Sequence, residues 1–193
     1  MKRTSVVPSL LLVTALFATT ATLWSTTVIP MPVERLAQIS SHVLRGRAVE
    51  SWSAWNQQHG LIYTYTRFEV QQTLKGQAPA TIVVKQLGGT VNGTTQHVSG
   101  LHYWRSGEEA VLFLRQDERL DGTLVVTGLI QGNFMITRTP TGEALVSNGV
   151  HGASSYQVSG SQATHVSEFQ GNHMTLRELE SLVAKSTGKA VQQ

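Results

Sequence analysis

Polar and apolar residues alternate most clearly along residues 61–73. Ile62, Thr64, Thr66, Phe68 and Val70 take one side, and Tyr63, Tyr65, Arg67 and Glu69 take the other. A period of two over strong β-formers predicts a half-buried strand. Further strands are predicted at residues 43–54, 81–87, 96–99, 110–115, 123–127, 132–138 and 143–147. Gly46 interrupts the first of these, where a bulge or a close backbone approach is expected. Residues 110–115 are almost continuously apolar and read as a strand buried on both faces. His59-Gly60, Leu74-Lys75-Gly76, Gly88-Gly89, Asn92-Gly93 and Asp121-Gly122 mark the turns between them.

Two segments carry helical spacing instead. Pro32 at a first-turn position precedes Val33, Leu36, Ala37 and Ile39, with Glu34 near the positive end of a brief helix. Near the C-terminus, Thr175-Leu176-Arg177-Glu178 is a capping box. Leu176, Leu179, Leu182 and Val183 line one face behind it, and Gly188 closes the helix. Residues 148–173, rich in Ser, Gly, Asn and Gln, show little periodicity and read as a polar flexible segment. The pattern predicts a mainly β fold. Residues 27–147 form an OB-like, closed or partly open β-barrel with a short N-terminal helix, and a C-terminal helix spans 174–188. A β-sandwich is the alternative architecture.

The 193 residues suit one domain, and 17 glycines among many Thr, Val and Ser favour strands and turns. Lys2-Arg3, then the apolar run around Leu10–Ala18, then small residues, read as a secretory signal peptide over residues 1–26. An uncleaved membrane anchor is the alternative, weakened by four threonines within residues 14–22. The expected location is therefore extracytoplasmic, either periplasmic or secreted. The formal charge is +3, but Lys2 and Arg3 supply two of the 15 basic residues, which leaves near balance against 12 acidic ones. The rest are scattered without a basic stripe, so nucleic acid is excluded as the expected partner. Cysteine is absent, which removes disulfides and thiolate metal sites.

Catalytic signatures are missing. No Gly-x-Ser-x-Gly elbow occurs, and Gly88-Gly89 leads into neither a dinucleotide nor a phosphate-binding signature. Glu108 and Glu109 are adjacent on a strand, so they point to opposite faces and do not form an acid/base pair. His97 and His102 lie five apart, and His151, His165 and His173 sit in the polar segment, without the spacing of a metal motif. Singly hydrogen-bonded or solvated histidines are the plainer reading, and no cofactor is expected. Aromatic residues point to binding more directly. Trp52 and Trp55 lie towards a strand end, Tyr63 and Tyr65 share a strand face, and Tyr103-Trp104 precede a turn. Such rings stack on sugars or anchor protein partners; equally, they complete a small β core.

Arg45-Gly46-Arg47-Ala48-Val49, Ile62-Tyr63-Thr64, Phe68-Glu69-Val70, Leu74-Lys75-Gly76, Gly88-Gly89, Gly107-Glu108-Glu109 and Leu112-Phe113-Leu114 occur in that order. This series resembles a family of secreted bacterial proteins. More distantly it is similar to netrin-like and metalloproteinase-inhibitor (TIMP-like) domains, and the resemblance implies an OB-type barrel over about residues 33–136. The N-terminal cysteine those inhibitors direct at zinc has no counterpart here, so their chemistry is not implied. The expected function is a non-catalytic extracytoplasmic binding or protein-interaction module. Its candidate residues are Tyr63, Tyr65, His97, His102, Tyr103 and Trp104, and its expected partner is another extracytoplasmic protein or a glycan. A metal-assisted secreted enzyme and a structural component of the envelope or of a secreted assembly are the alternatives.

Overall fold

Val33, Leu36 and Ala37 bury one face of a seven-residue helix, α1 (Val33–Ile39), which Pro32 opens and Ser40 ends. The chain then enters its longest hairpin. Strand β1 (His42–Asn56) pairs antiparallel with β2 (Leu61–Lys75) along almost its whole length, and the register shifts at Arg45/Gly46, where the sequence predicts a bulge. In this computed structural model the described residues are 30–56, 60–98, 100–117, 122–148, 153–159, 162–169 and 173–188. The segment read as a signal lies outside them.

The other edge of β1, from His42 to Arg47, pairs antiparallel with β6 (Glu109–Gln116). β2 pairs antiparallel with β3 (Thr81–Leu87), which lies parallel to β7 (Leu124–Val126), and β7 returns antiparallel to β6. The order β1-β2-β3-β7-β6 therefore comes back to β1 and closes a ring. From β6 the same sheet continues through β8 (Asn133–Arg138) and β9 (Ala144–Ser147) to β12 (His173–Thr175). The molecule is mainly β, with one short N-terminal and one C-terminal helix, and its large sheet is partly closed in a barrel-like ring. The expected fold class holds at that level.

Strand β6 shows why its run reads as continuously apolar. Leu112 and Leu114 pack with Leu44, Phe68, Val84 and Trp104. Val111 and Phe113 pack instead with Leu36, Phe134, Leu179 and Val183, under the two helices. One strand thus feeds two cores from its two faces. The helix supplying Leu179 and Val183 is α2 (Leu176–Thr187), whose capping box at Thr175 and Glu178 and left-handed Gly188 are both present.

Lys75 closes the α1 corner. Its Nζ donates to the carbonyls of Ala37 (2.7 Å), Gln38 (3.1 Å) and Ser40 (2.7 Å), carbonyls at the negative end of α1. Lys75→Met is expected to cost about 1–2 kcal/mol, seen as a lower denaturant midpoint. An unchanged midpoint shows that solvent satisfies those carbonyls equally well.

Two expectations are corrected. The strand expected at residues 96–99 lies two residues earlier, as β5 (Thr94–Gln96), folded onto β4 (Gly89–Val91) around Asn92-Gly93. Within the segment read as irregular, β10 (Ala153–Ser159) and β11 (Gln162–Phe169) form an antiparallel hairpin. That hairpin forms a two-stranded sheet of its own. Its residues lack the regular apolar spacing by which a strand with one core-facing side is recognised.

Candidate functional site

Strand register assembles the site. Trp52 on β1 pairs with Tyr65 on β2, Tyr65 with Lys85 on β3, Lys85 with Val125 on β7, and Val125 with Arg115 on β6. Residues paired across a sheet share one face. Their neighbours Val84, Val126 and Leu114 belong to the core, so this row lies on the outer surface of the ring. Tyr63 stands two residues from Tyr65 on the same side.

A cleft of about 260 Å³ opens on this surface. Leu61, Leu87, Leu101, Val125 and Leu129 give it apolar walls, and Tyr63, Lys85, Arg115 and Asp117 place polar groups in it. Lys85 is 2% exposed, and its Nζ lies 4.7 Å from the centre of the Tyr63 ring, within cation–π range. An apolar hollow with a few convergent polar groups is the usual form of a ligand pocket. Alongside it, Trp52 and Tyr65 stack at 5.7 Å, and Arg67 lies 5.6 Å from the Trp52 ring while pairing with Glu50. Trp52 remains 38% exposed.

Leu129 stands out on the rim. Its φ of 63° is left-handed, a conformation that costs a side-chain-bearing residue about 1–2 kcal/mol. Yet the residue is 51% exposed. Strained backbone of this kind clusters at ligand-binding and switch positions in proteins generally. The turn is fixed from below: Gln131 N and Ile130 N donate to the Gly128 carbonyl, and Gly132 N donates to that of Thr127.

Behind Leu101 and Leu129 lies a second hollow of about 120 Å³. Gln86, Asn133 and Asn148 line it, each at least 94% buried. Gln86 Nε2 donates to the His102 carbonyl at 3.1 Å, while its Oε1 is buried without a partner. Asn133 Oδ1 accepts from Trp104 Nε1 at 3.1 Å. Gln86, Leu101 and Leu129 border both hollows.

The structure divides the six residues expected at the site. Tyr63 lines the outer cleft, and Tyr65 stands beside it against Trp52. Trp104 lies off the surface: it is 2% exposed and packs edge-on against Phe68, inside the partly closed ring of strands. Tyr103 is positional. Its hydroxyl donates to the Leu87 carbonyl at 2.8 Å, and burial pushes its phenol up against a weaker opposing hydrogen bond from Val98. Gly88, with φ of 91°, gives that hydroxyl room, since a Cβ there would collide with it. His102 borders the inner hollow, with Nε2 2.7 Å from Glu108 Oε2. His97 is exposed and lines neither hollow. Among the described residues no three of His, Asp and Glu converge on a metal position.

Charge patterning alone misses a cluster on β1, β6 and β8. Glu109, whose side chain is 12% exposed, accepts from Arg47 at 2.6 Å and from Gln71 at 3.1 Å, with Arg138 at 3.5 Å and Arg45 at 3.7 Å. Desolvation pushes its carboxyl up, but these hydrogen bonds and the charges of Arg45 and Arg47 outweigh it and hold it below the usual carboxylate range. Arg45 also lines a groove of about 650 Å³ with Arg177, Glu143 and Glu180, where the opposite charges balance. No protein-family model matches the chain, and no curated protein matches it in sequence at a significant level.

Proposed function

We propose that this protein is a non-catalytic extracytoplasmic binding module, and that its ligand is a glycan held on the outer face of the ring with one end in the cleft beneath Leu129. The observation that carries the reading is the cleft itself, with a strained, exposed Leu129 on its rim and the Trp52–Tyr65 stack alongside. Aromatic rings present flat apolar faces that match the C–H face of a sugar. Arg115, at the far end of that row, lines the cleft and adds a hydrogen-bonding group there. The extracytoplasmic part rests on Lys2-Arg3 and the apolar run that follows.

The test uses the strain at Leu129. Leu129→Gly removes a cleft wall and relieves the left-handed backbone, so stability is expected to rise by about 0.5–1 kcal/mol. Binding of soluble oligosaccharides, followed by ligand-observed NMR, is expected to weaken at the same time. A variant that is more stable and binds its oligosaccharide as tightly as the parent removes the cleft from the function. Silence of the parent protein across the oligosaccharide panel sets the glycan reading aside.

A further inference from the structure

We infer that the sugar unit held in the outer cleft is an acidic one, a uronate whose carboxylate is bound by the guanidinium of Arg115. This rests on the glycan reading above and names the chemical class of the ligand at that same site.

Strand register fixes where the charges lie. Lys85, Val125 and Arg115 follow one another across β3, β7 and β6. Arg115 therefore stands two strand spacings, about 10 Å, from Lys85, with Val125 between them. Among the described residues, Lys85, Arg115 and Asp117 are the charged side chains lining the cleft. Two cations against one carboxylate leave a surplus of one positive charge. Further along the same face, Arg67 is paired with Glu50 and adds nothing to that balance.

The three groups differ in what they can offer a ligand. Lys85 is 2% exposed and lies against the Tyr63 ring, and both Lys85 and Asp117 are engaged by neighbours. Arg115 is exposed, and its side chain makes a single hydrogen bond, from Nη1 to the carbonyl of Gln116 at 3.5 Å. A guanidinium carries several N–H donors and no acceptor. Most of the Arg115 fork is thus open to an acceptor in the cleft.

Geometry then selects the anion. Two N–H groups of a guanidinium meet the two oxygens of a carboxylate in parallel, and such charge-assisted bonds are about twice as strong as neutral ones. A uronate keeps the apolar ring face that suits Tyr63 and the leucine walls. A neutral hexose meets the same walls but leaves the surplus charge uncompensated. The cleft, at about 260 Å³, opens along the row, so one ring enters it while the rest of the glycan extends towards the Trp52–Tyr65 stack.

The experiment titrates the purified chain with oligomers of galacturonate, glucuronate and mannuronate. Each is set beside its carboxyl-reduced counterpart, in which a neutral hydroxymethyl group replaces the carboxylate. Binding is read from the Arg115 Nε–H resonance and from the backbone amides of Tyr63 and Leu129. At least one uronate oligomer is expected to bind about fivefold more tightly than its reduced form, and to shift Arg115 Nε–H. Arg115→Gln, with its fold checked by thermal melting, is expected to abolish the difference between the two forms. Reduced oligomers that bind as tightly as the acidic ones overturn the inference, and the glycan reading then stands by itself. A preference for the acidic form that survives in Arg115→Gln overturns the assignment to Arg115. If no oligomer of either kind shifts Tyr63 or Leu129, both readings fall.

Discussion

Replacing Trp104 by alanine is expected to destabilise the protein by about 3–5 kcal/mol, the largest effect of any single substitution discussed here. The ring is 2% exposed and among the largest wholly enclosed side chains. It meets Phe68 edge-on at 4.9 Å between centres, the arrangement that aligns the positive ring edge with the negative face. Removing it empties a space bounded by β1, β2, β3 and β6, strands too firmly paired to collapse into the gap. It also takes the donor from Asn133 Oδ1. Trp104→Phe separates these contributions, keeping much of the packing while losing the indole N–H, and is expected to cost about 1–3 kcal/mol. Chemical denaturation of the three proteins measures both numbers. A Trp104→Ala protein within about 1 kcal/mol of the parent contradicts the placement of the ring in the core.

The same residue shows where sequence reading stops. Tyr63, Tyr65 and Trp104 are equally aromatic, and alternation within 61–73 assigns both tyrosines to the less apolar face. Trp104 lies outside any regular strand, just before the Ser106-Gly107 turn, so no periodicity tells whether it faces inwards. The partners that enclose it are distant in sequence: Phe68 in the core and Asn133, 29 residues away. Gln86, Asn133 and Asn148 are illegible for the same reason. They come from three separate segments, and one polar residue among apolar neighbours carries no sign of the company it keeps. A faint signal did exist in Lys85-Gln86, two consecutive polar residues inside an otherwise apolar strand, one destined for each face.

Glu109→Gln is expected to cost about 2–3 kcal/mol at neutral pH. The substitution keeps the shape and removes the charge on which three arginines depend. The loss falls short of a wholly buried pair because the Arg47 and Arg138 side chains are 49% and 54% exposed, and water takes over part of their solvation. The pH dependence gives an independent check. Because the folded state holds the Glu109 carboxyl below its ordinary value, its contribution is full above the unfolded-state value of about 4.3 and is lost as pH falls through the lower folded value. The parent should therefore lose stability on acidification below about pH 4.5, and Glu109→Gln should lose less. Glu108 and Glu178 are lowered as well, so some acid sensitivity remains in the variant. Parallel acid profiles for the two proteins contradict the cluster.

The ring and its two helices were largely visible in the pattern, because alternation, turn glycines, Pro32 ahead of α1 and the capping box of α2 are local signals. The Glu109 cluster was not. Arg45, Arg47 and Arg138 look scattered along the chain, and only the pairing of β1 with β6 and of β6 with β8 brings them to one carboxylate. Leu129 was hidden in another way, since sequence gives no warning that a leucine adopts a left-handed backbone.

Backbone amide shift mapping with the tightest-binding oligosaccharide tests the binding account most directly. The largest shifts are predicted at Tyr63, Lys85, Leu101, Arg115 and Leu129, with smaller ones at Trp52 and Tyr65. Shifts confined to the Arg45–Arg177 groove, or to the edge of β1 around Trp55, would contradict it and move the site to that surface.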